Sequence, residues 1–130
     1  MQRRDPWRVA VSSEDAIRRT LVRYSRLFDM KQWDELASVF TEDAAIVSRR
    51  GTFTGRAEVI RDLKNAMTAE YHGILFVSNL LITVDEDSAT AVSDFLEIED
   101  RSILAVGTYL DTLVKVGDQW LLSRKEIRLK

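Results

Sequence analysis

Asp29 is the residue of this 130-residue chain whose placement bears most directly on chemistry. It stands where a helical pattern runs out, and a carboxylate there faces the negative end of the helix macrodipole. That field favours the protonated form. Burial in an apolar pocket would push the same way, toward a group that gives or takes a proton near neutral pH. The plainer alternative is an acid that caps the next short helix, with Lys31 and Gln32 beside it. Tyr24 lies five residues earlier on the same apolar stripe. Its phenol can polarise a carbonyl or hydroxyl, or simply be a core tyrosine with a satisfied hydroxyl. Near the other end, Leu121, Ser123, Lys125, Ile127 and Leu129 alternate onto one strand face, and Arg124, Glu126 and Arg128 onto the other. An ammonium in that apolar company can reach a pocket and stabilise developing negative charge. The alternative is a lysine snorkelling past the sheet edge. Asp94, Tyr109 and Asp111 are polar positions inside β-rich runs, and any of the acids that points inward needs a partner.

Other chemistries are excluded by what the chain lacks. There is no cysteine, so disulfides, thiol catalysis and thiolate metal sites are ruled out. The single histidine, His72, cannot build a His-rich metal site, and no cofactor or metal is expected. The five glycines form neither a dinucleotide fingerprint nor a phosphate-binding loop, and no Gly-x-Ser-x-Gly elbow is present. A net charge of −2 gives no footprint for nucleic acid, and the basic start (Arg3, Arg4, Arg8) reads as a solvated end. No run approaches the ~20 apolar residues of a membrane span, and no signal-peptide core is seen. A cytoplasmic protein is the expectation.

These residues need elements to hold them. Residues 1–12 read as a flexible lead-in and 13–130 as a single domain. Ser12 and Ser13 offer an N-cap, with Glu14 and Asp15 in the first turn. Ile17, Leu21, Tyr24, Leu27 and Phe28 then give a helical face. A short second helix spans about Gln32 to Val39 and buries Trp33, Leu36 and Ala37. A strand follows from Ala44 to Ser48, turned by Arg50-Gly51 toward Thr52-Phe53. Thr54-Gly55 caps a third helix running to about Met67. From Ile74 onward come four β-rich runs: Ile74 to Val84, Ala89 to Ile98, Ile103 to Val116 and Gln119 to Leu129. Helices first and an antiparallel meander afterwards make an α+β plan. Ile74-Leu-Phe-Val77 and Ile103-Leu-Ala-Val106 are apolar on both faces, which predicts a homodimer packed through the sheet.

The order of short motifs is more specific than any one residue. Tyr24-Ser-Arg-Leu-Phe-Asp29 leads to Trp33-Asp34 and then Phe40-Thr-Glu-Asp43-Ala44. Phe53-Thr-Gly55, Val77-Ser-Asn79, Gly107-x-Tyr109-x-Asp111 and Gly117-Asp-Gln-Trp120 continue it. This pattern resembles the SnoaL-like, nuclear-transport-factor-2-like superfamily over roughly residues 13–130. The resemblance implies a cone-shaped curved sheet wrapped around three N-terminal helices, with an apolar pocket between them. That superfamily spans scytalone and bile-acid dehydratases, dehydrochlorinases, polyketide cyclases, ketosteroid isomerase and non-catalytic dimerisation domains, so fold alone does not choose a chemistry.

In similar dehydratases and dehydrochlorinases, the acid matching Asp29 pairs with a histidine on the first long strand. Counting back from Val77-Ser-Asn79, Leu75 takes that position here, and His72 lies three residues earlier. Odd spacing turns His72 away from the face of Leu75 unless a bulge at Gly73 restores it, leaving His72 at the pocket rim. A similar dehydrochlorinase has an arginine where Lys125 stands, and Tyr24 matches a phenol that donates to substrate oxygen. The isomerase's base position falls on Ser48, which cannot abstract a carbon-bound proton.

The implied function is a cofactor-independent lyase or isomerase acting on an apolar cyclic small molecule. Tyr24, Asp29, His72 and Lys125 would be its catalytic residues, and Trp33, Leu75, Asn79, Asp94, Tyr109 and Asp111 its pocket. The rival is a non-catalytic ligand-binding or dimerisation domain with a decayed Asp–His dyad.

Overall fold

The hydroxyl of Ser12 accepts the N–H of Asp15 at 3.1 Å and opens helix α1, Ser13–Asp29, whose first turn carries Glu14 and Asp15. That is the cap the residue types call for. The computed structural model describes residues 12–67 and 70–130, and the basic lead-in with Arg3, Arg4 and Arg8 lies outside them. Helix α2, Trp33–Ala37, and strand β1, Phe40–Ser48, come next. Strand β2, Gly51–Thr54, hairpins back onto β1. Helix α3, Arg56–Asn65, is entered through Gly55 at φ 94, a left-handed conformation that suits glycine. No side chain caps α3, so the Thr54 hydroxyl does not play the part its position suggested.

Four long strands finish the chain: β3, Ile74–Asp85; β4, Ser88–Glu99; β5, Ser102–Val116; and β6, Gln119–Leu129. All six form one sheet in the order β2-β1-β6-β5-β4-β3. The meander is antiparallel as expected, but β1 lies parallel to β6, because the helices intervene before the chain returns. The early strand also begins at Phe40 rather than at Ala44.

The helices pack on the concave face, where Ile17, Tyr24, Leu27 and Phe28 of α1 meet Val59, Ile60 and Leu63 of α3 and inward residues of every long strand. Two polar contacts pin this arrangement. The Thr20 hydroxyl donates to the Trp120 carbonyl at 2.7 Å, and Arg56 Nε donates to the Phe40 carbonyl at 2.9 Å.

A bulge alters the parity of β6. The register with β5 slips between Thr112 and Leu113, so Trp120 and Leu122 share the core side with Lys125 and Ile127. Leu121 and Ser123, expected on that face by simple alternation, do not join the core cluster. On the opposite, convex face Ile74, Phe76, Leu81, Val92, Ile103 and Val106 stay exposed. Among the described residues no helix is long and apolar enough to cross a membrane.

Candidate active site

A cavity of about 210 Å³ lies between the helices and the concave sheet. Tyr24 and Phe28 of α1 close one side, and Leu63 of α3 another. Phe95 and Glu97 of β4, Tyr109 of β5 and Ile127 of β6 supply the sheet wall. Ser48, Arg49 and Arg50, from the end of β1 and its turn, stand at the edge. The volume is below the ~300–1,000 Å³ of drug-sized sites, so a one-ring molecule is the natural occupant.

The floor is aromatic, and the buried pair Lys125 and Asp111 lies behind it without lining the cavity. Phe95 and Tyr109 stack at 4.3 Å between centroids, and Tyr24 meets Tyr109 edge-on at 6.1 Å. Burial holds both hydroxyls neutral, well above the usual phenol range. Beneath them Lys125 is 1% exposed, its Nζ 3.6 Å from the Tyr109 ring centroid and 4.3 Å from that of Tyr24. Its counter-ion is the buried Asp111, with Nζ 2.9 Å from Oδ1 and donating to Oδ2 at 3.2 Å. Oδ1 takes the charge without an aligned donor of its own among the described residues. Desolvation raises the Asp111 pKa and lowers that of Lys125, while their mutual attraction offsets part of both shifts. Lys125 therefore does not snorkel to the sheet edge.

The acid end is built by cross-strand pairing. Glu97 sits opposite Leu75 in the β3–β4 ladder, on the inward parity of Ala91, Ser93 and Phe95. The Leu75 N–H donates to both Asp29 oxygens, at 3.2 and 3.1 Å. Asp29 itself faces the groove between α1 and β3. Desolvation raises the Asp29 carboxyl, and the Leu75 N–H pulls it partly back. Desolvation also raises Glu97, helped by the negative charge of Asp29 and opposed by Arg50. Tyr71 is buried over Gly73, where a Cβ would come within 2.4 Å of its ring. Its hydroxyl has no partner among the described residues, and burial with the nearby Glu97 and Asp29 raises it.

Some expected site residues fall elsewhere. His72 is exposed, and its backbone N–H donates to Glu99; the strand begins only at Ile74, so no bulge turns the imidazole inward. Asn79, at φ 53, donates to Asp94 at 3.0 Å, and Thr108 donates to the same carboxylate at 2.9 Å. Asp94 lies on the convex side, because it has the opposite parity to Phe95 and Glu97, and the two hydrogen bonds hold it below the usual carboxylate range. Trp33 packs edge-on to Phe28 under Lys64 and braces α2 instead of lining the cavity. Leu75 is buried on the core side, next to the acids.

Sequence reasoning missed Glu97, Arg50 and Asp62. Arg50 grips Asp62 in a fork, Nε to Oδ1 at 2.9 Å and Nη2 to Oδ2 at 3.0 Å, and Asp62 is 3% exposed. Alternation along β4 carried the signal for Glu97, and the apolar face of α3 (Val59, Ile60, Leu63) that for Asp62. Among the described residues no cluster of three or more His, Cys, Asp or Glu could hold a metal.

Comparisons with known proteins agree on the scaffold. The model of a family described as a SnoaL-like domain matches residues 9–126. A protein from Novosphingobium aromaticivorans, provisionally named scytalone dehydratase, is 31% identical with a TM-score of 0.78 over 90% of this chain and 83% of its own. A Mycobacterium tuberculosis protein of unknown function is 26% identical, TM-score 0.79, over 94% and 78%. A hexachlorocyclohexane dehydrochlorinase from Novosphingobium barchaimii, 20% identical, shares the fold with a TM-score of 0.79 over 91% and 86%. The curated proteins contain no match.

Proposed function

The chain belongs to the SnoaL-like domain family, and from that premise and the cavity we propose a lyase or isomerase that moves a proton on a small, largely apolar, one-ring molecule without a cofactor. Glu97 takes a proton from a carbon beside the substrate's carbonyl, and the electron pair moves onto the oxygen as an enolate. The Tyr24–Tyr109 phenols donate to that oxygen, and the Lys125 ammonium, spent on Asp111, braces the two rings from behind. Returning the proton to another carbon completes an isomerisation; expelling a β-substituent completes an elimination.

The observation that carries this reading is the position of Glu97, a half-buried carboxyl of raised pKa in the same cavity as a neutral phenol pair. Asp29 acts through Glu97, one hydrogen bond behind it on Leu75. The test is deuterium uptake from D₂O into a panel of one-ring cyclic ketones, followed by NMR. The protein should accelerate exchange, and Glu97→Gln should reduce the rate by ~10²–10⁴-fold. No acceleration over buffer at any pH, or an unchanged rate in the variant, refutes it.

The rival is a binding domain without turnover, and Leu75 in place of the family's histidine is the observation on its side. Ligand binding with no exchange would establish it. The exposed Ile74, Phe76, Ile103 and Val106 further support a homodimer packed through the convex face. Light scattering at micromolar concentration should give twice the chain mass, and a clean monomer contradicts it.

A further inference from the structure

The cavity has a cation at its edge that proton transfer does not use. Arg50 lines it, and the electrostatic influence of Tyr24 and Glu97 reaches the guanidinium. What fixes Arg50 is Asp62, an acid buried on the apolar side of α3 and placed at a desolvation cost that only a well-formed pair offsets. The fork consumes Nε–H and one Nη2–H. A guanidinium has five N–H groups, so the end-on edge formed by Nη1 and Nη2 remains, with the spacing that matches a second carboxylate. Arg49, adjacent and with no partner among the described residues, adds positive charge at the same edge. The same cavity also presents Glu97 and the two phenols, which suit an uncharged oxygen, and Phe95, Leu63 and Ile127, which suit a ring.

We propose that the ligand of this cavity is a monocyclic carboxylate, its carboxylate seated on the end-on edge of Arg50 and its ring directed toward Glu97 and the Tyr24–Tyr109 pair. This rests on the cavity being the reaction site, and it names the substrate class. Asp62 is the positioning residue: without it the guanidinium has no fixed direction. A charged hydrogen-bonded pair of this kind makes the carboxylate bind about ten- to a hundredfold tighter than a neutral ligand of the same shape.

The experiment is calorimetric titration of the protein with cyclohexanecarboxylate and with cyclohexanemethanol, a shape-matched neutral probe. The carboxylate should bind at least about tenfold tighter. Arg50→Met alone strands a buried Asp62 and is prone to unfold, so the paired variant Arg50→Met with Asp62→Leu is the informative one, and it should lose most of the preference, Arg49 keeping only a small remainder. Arg61→Met, which removes a surface cation paired to Glu58 on the same helix, should keep the preference. Equal binding of both probes by the unaltered protein, or a preference undiminished in the paired variant, overturns the assignment. Binding needs no turnover, so a carboxylate preference without deuterium exchange would sustain this inference while refuting catalysis. Exchange without the preference would do the reverse.

Discussion

The carboxylate of Asp29 receives the backbone N–H of Leu75 on both its oxygens, and Leu75 is the cross-strand partner of Glu97. The end of the first helix is thereby tied to the strand pair that carries the cavity's acid. Asp29 consequently touches the chemistry through charge and position. It raises the pKa of Glu97, whereas burial is the main reason its own pKa is raised.

Asp29→Asn tests that division of labour. The amide oxygen can still accept from Leu75, but the negative charge beside Glu97 is gone. The Glu97 pKa should fall, so the acid limb of the exchange rate against pH moves to lower pH. The plateau rate should drop far less than in Glu97→Gln. An acid limb that stays put would show that the two carboxyls are not coupled.

Glu97 also makes a prediction about stability. Its folded pKa lies above the ordinary 4.5, so the folded chain keeps the proton to higher pH than the unfolded chain does. Stability contributed by this group is present below pH ~4.5 and is lost as pH rises through the folded pKa. Glu97→Gln should therefore raise the midpoint of thermal unfolding at pH 7 and change it little at pH 4. An equal shift at both pH values would contradict the raised pKa.

Lys125→Met leaves Asp111 buried without its cation and should cost about 3–5 kcal/mol in urea unfolding. Removing both charges, Lys125→Met with Asp111→Leu, should recover most of that loss. If the double variant is as unstable as the single one, the ammonium's contacts with the Tyr24 and Tyr109 rings matter more than its ion pair.

Gly107 is required for space. A Cβ there would lie 2.5 Å from the Arg128 carbonyl oxygen and 2.6 Å from the Phe95 ring. Gly107→Ala should cost about 1–3 kcal/mol and disturb the Phe95–Tyr109 stack. Unaltered stability would mean that β5 and β6 can separate without penalty.

The course of the chain was legible because its signals are local. The serine cap, the apolar stripe of α1 and the turns before Ser88, Ser102 and Gln119 each act within a few residues. Lys125 and Tyr109 could be aimed inward by alternation. The reach of Lys125 to Asp111 was not legible, since it depends on pairing across β5 and β6. Asp94 falls on the far face for the same kind of reason, because strand parity relative to the helices appears only once the sheet has curled, whereas Asn79 lines the groove that Asp29 and Leu75 share. In the sequence Arg50 reads only as part of a turn and Asp62 is not singled out, and their meeting needs α3 to fold back over β1. His72 drew notice as the sole histidine, yet the start of β3 at Ile74 leaves it in solvent.

Whether Glu97 is the base can be read from a carbon-13 NMR titration of its carboxyl, run beside the deuterium-exchange rate over the same pH range. Glu97 should ionise above pH 4.5, and the exchange rate should rise along the same curve. Ionisation at or below 4.5, or a rate that follows some other group, would contradict that assignment.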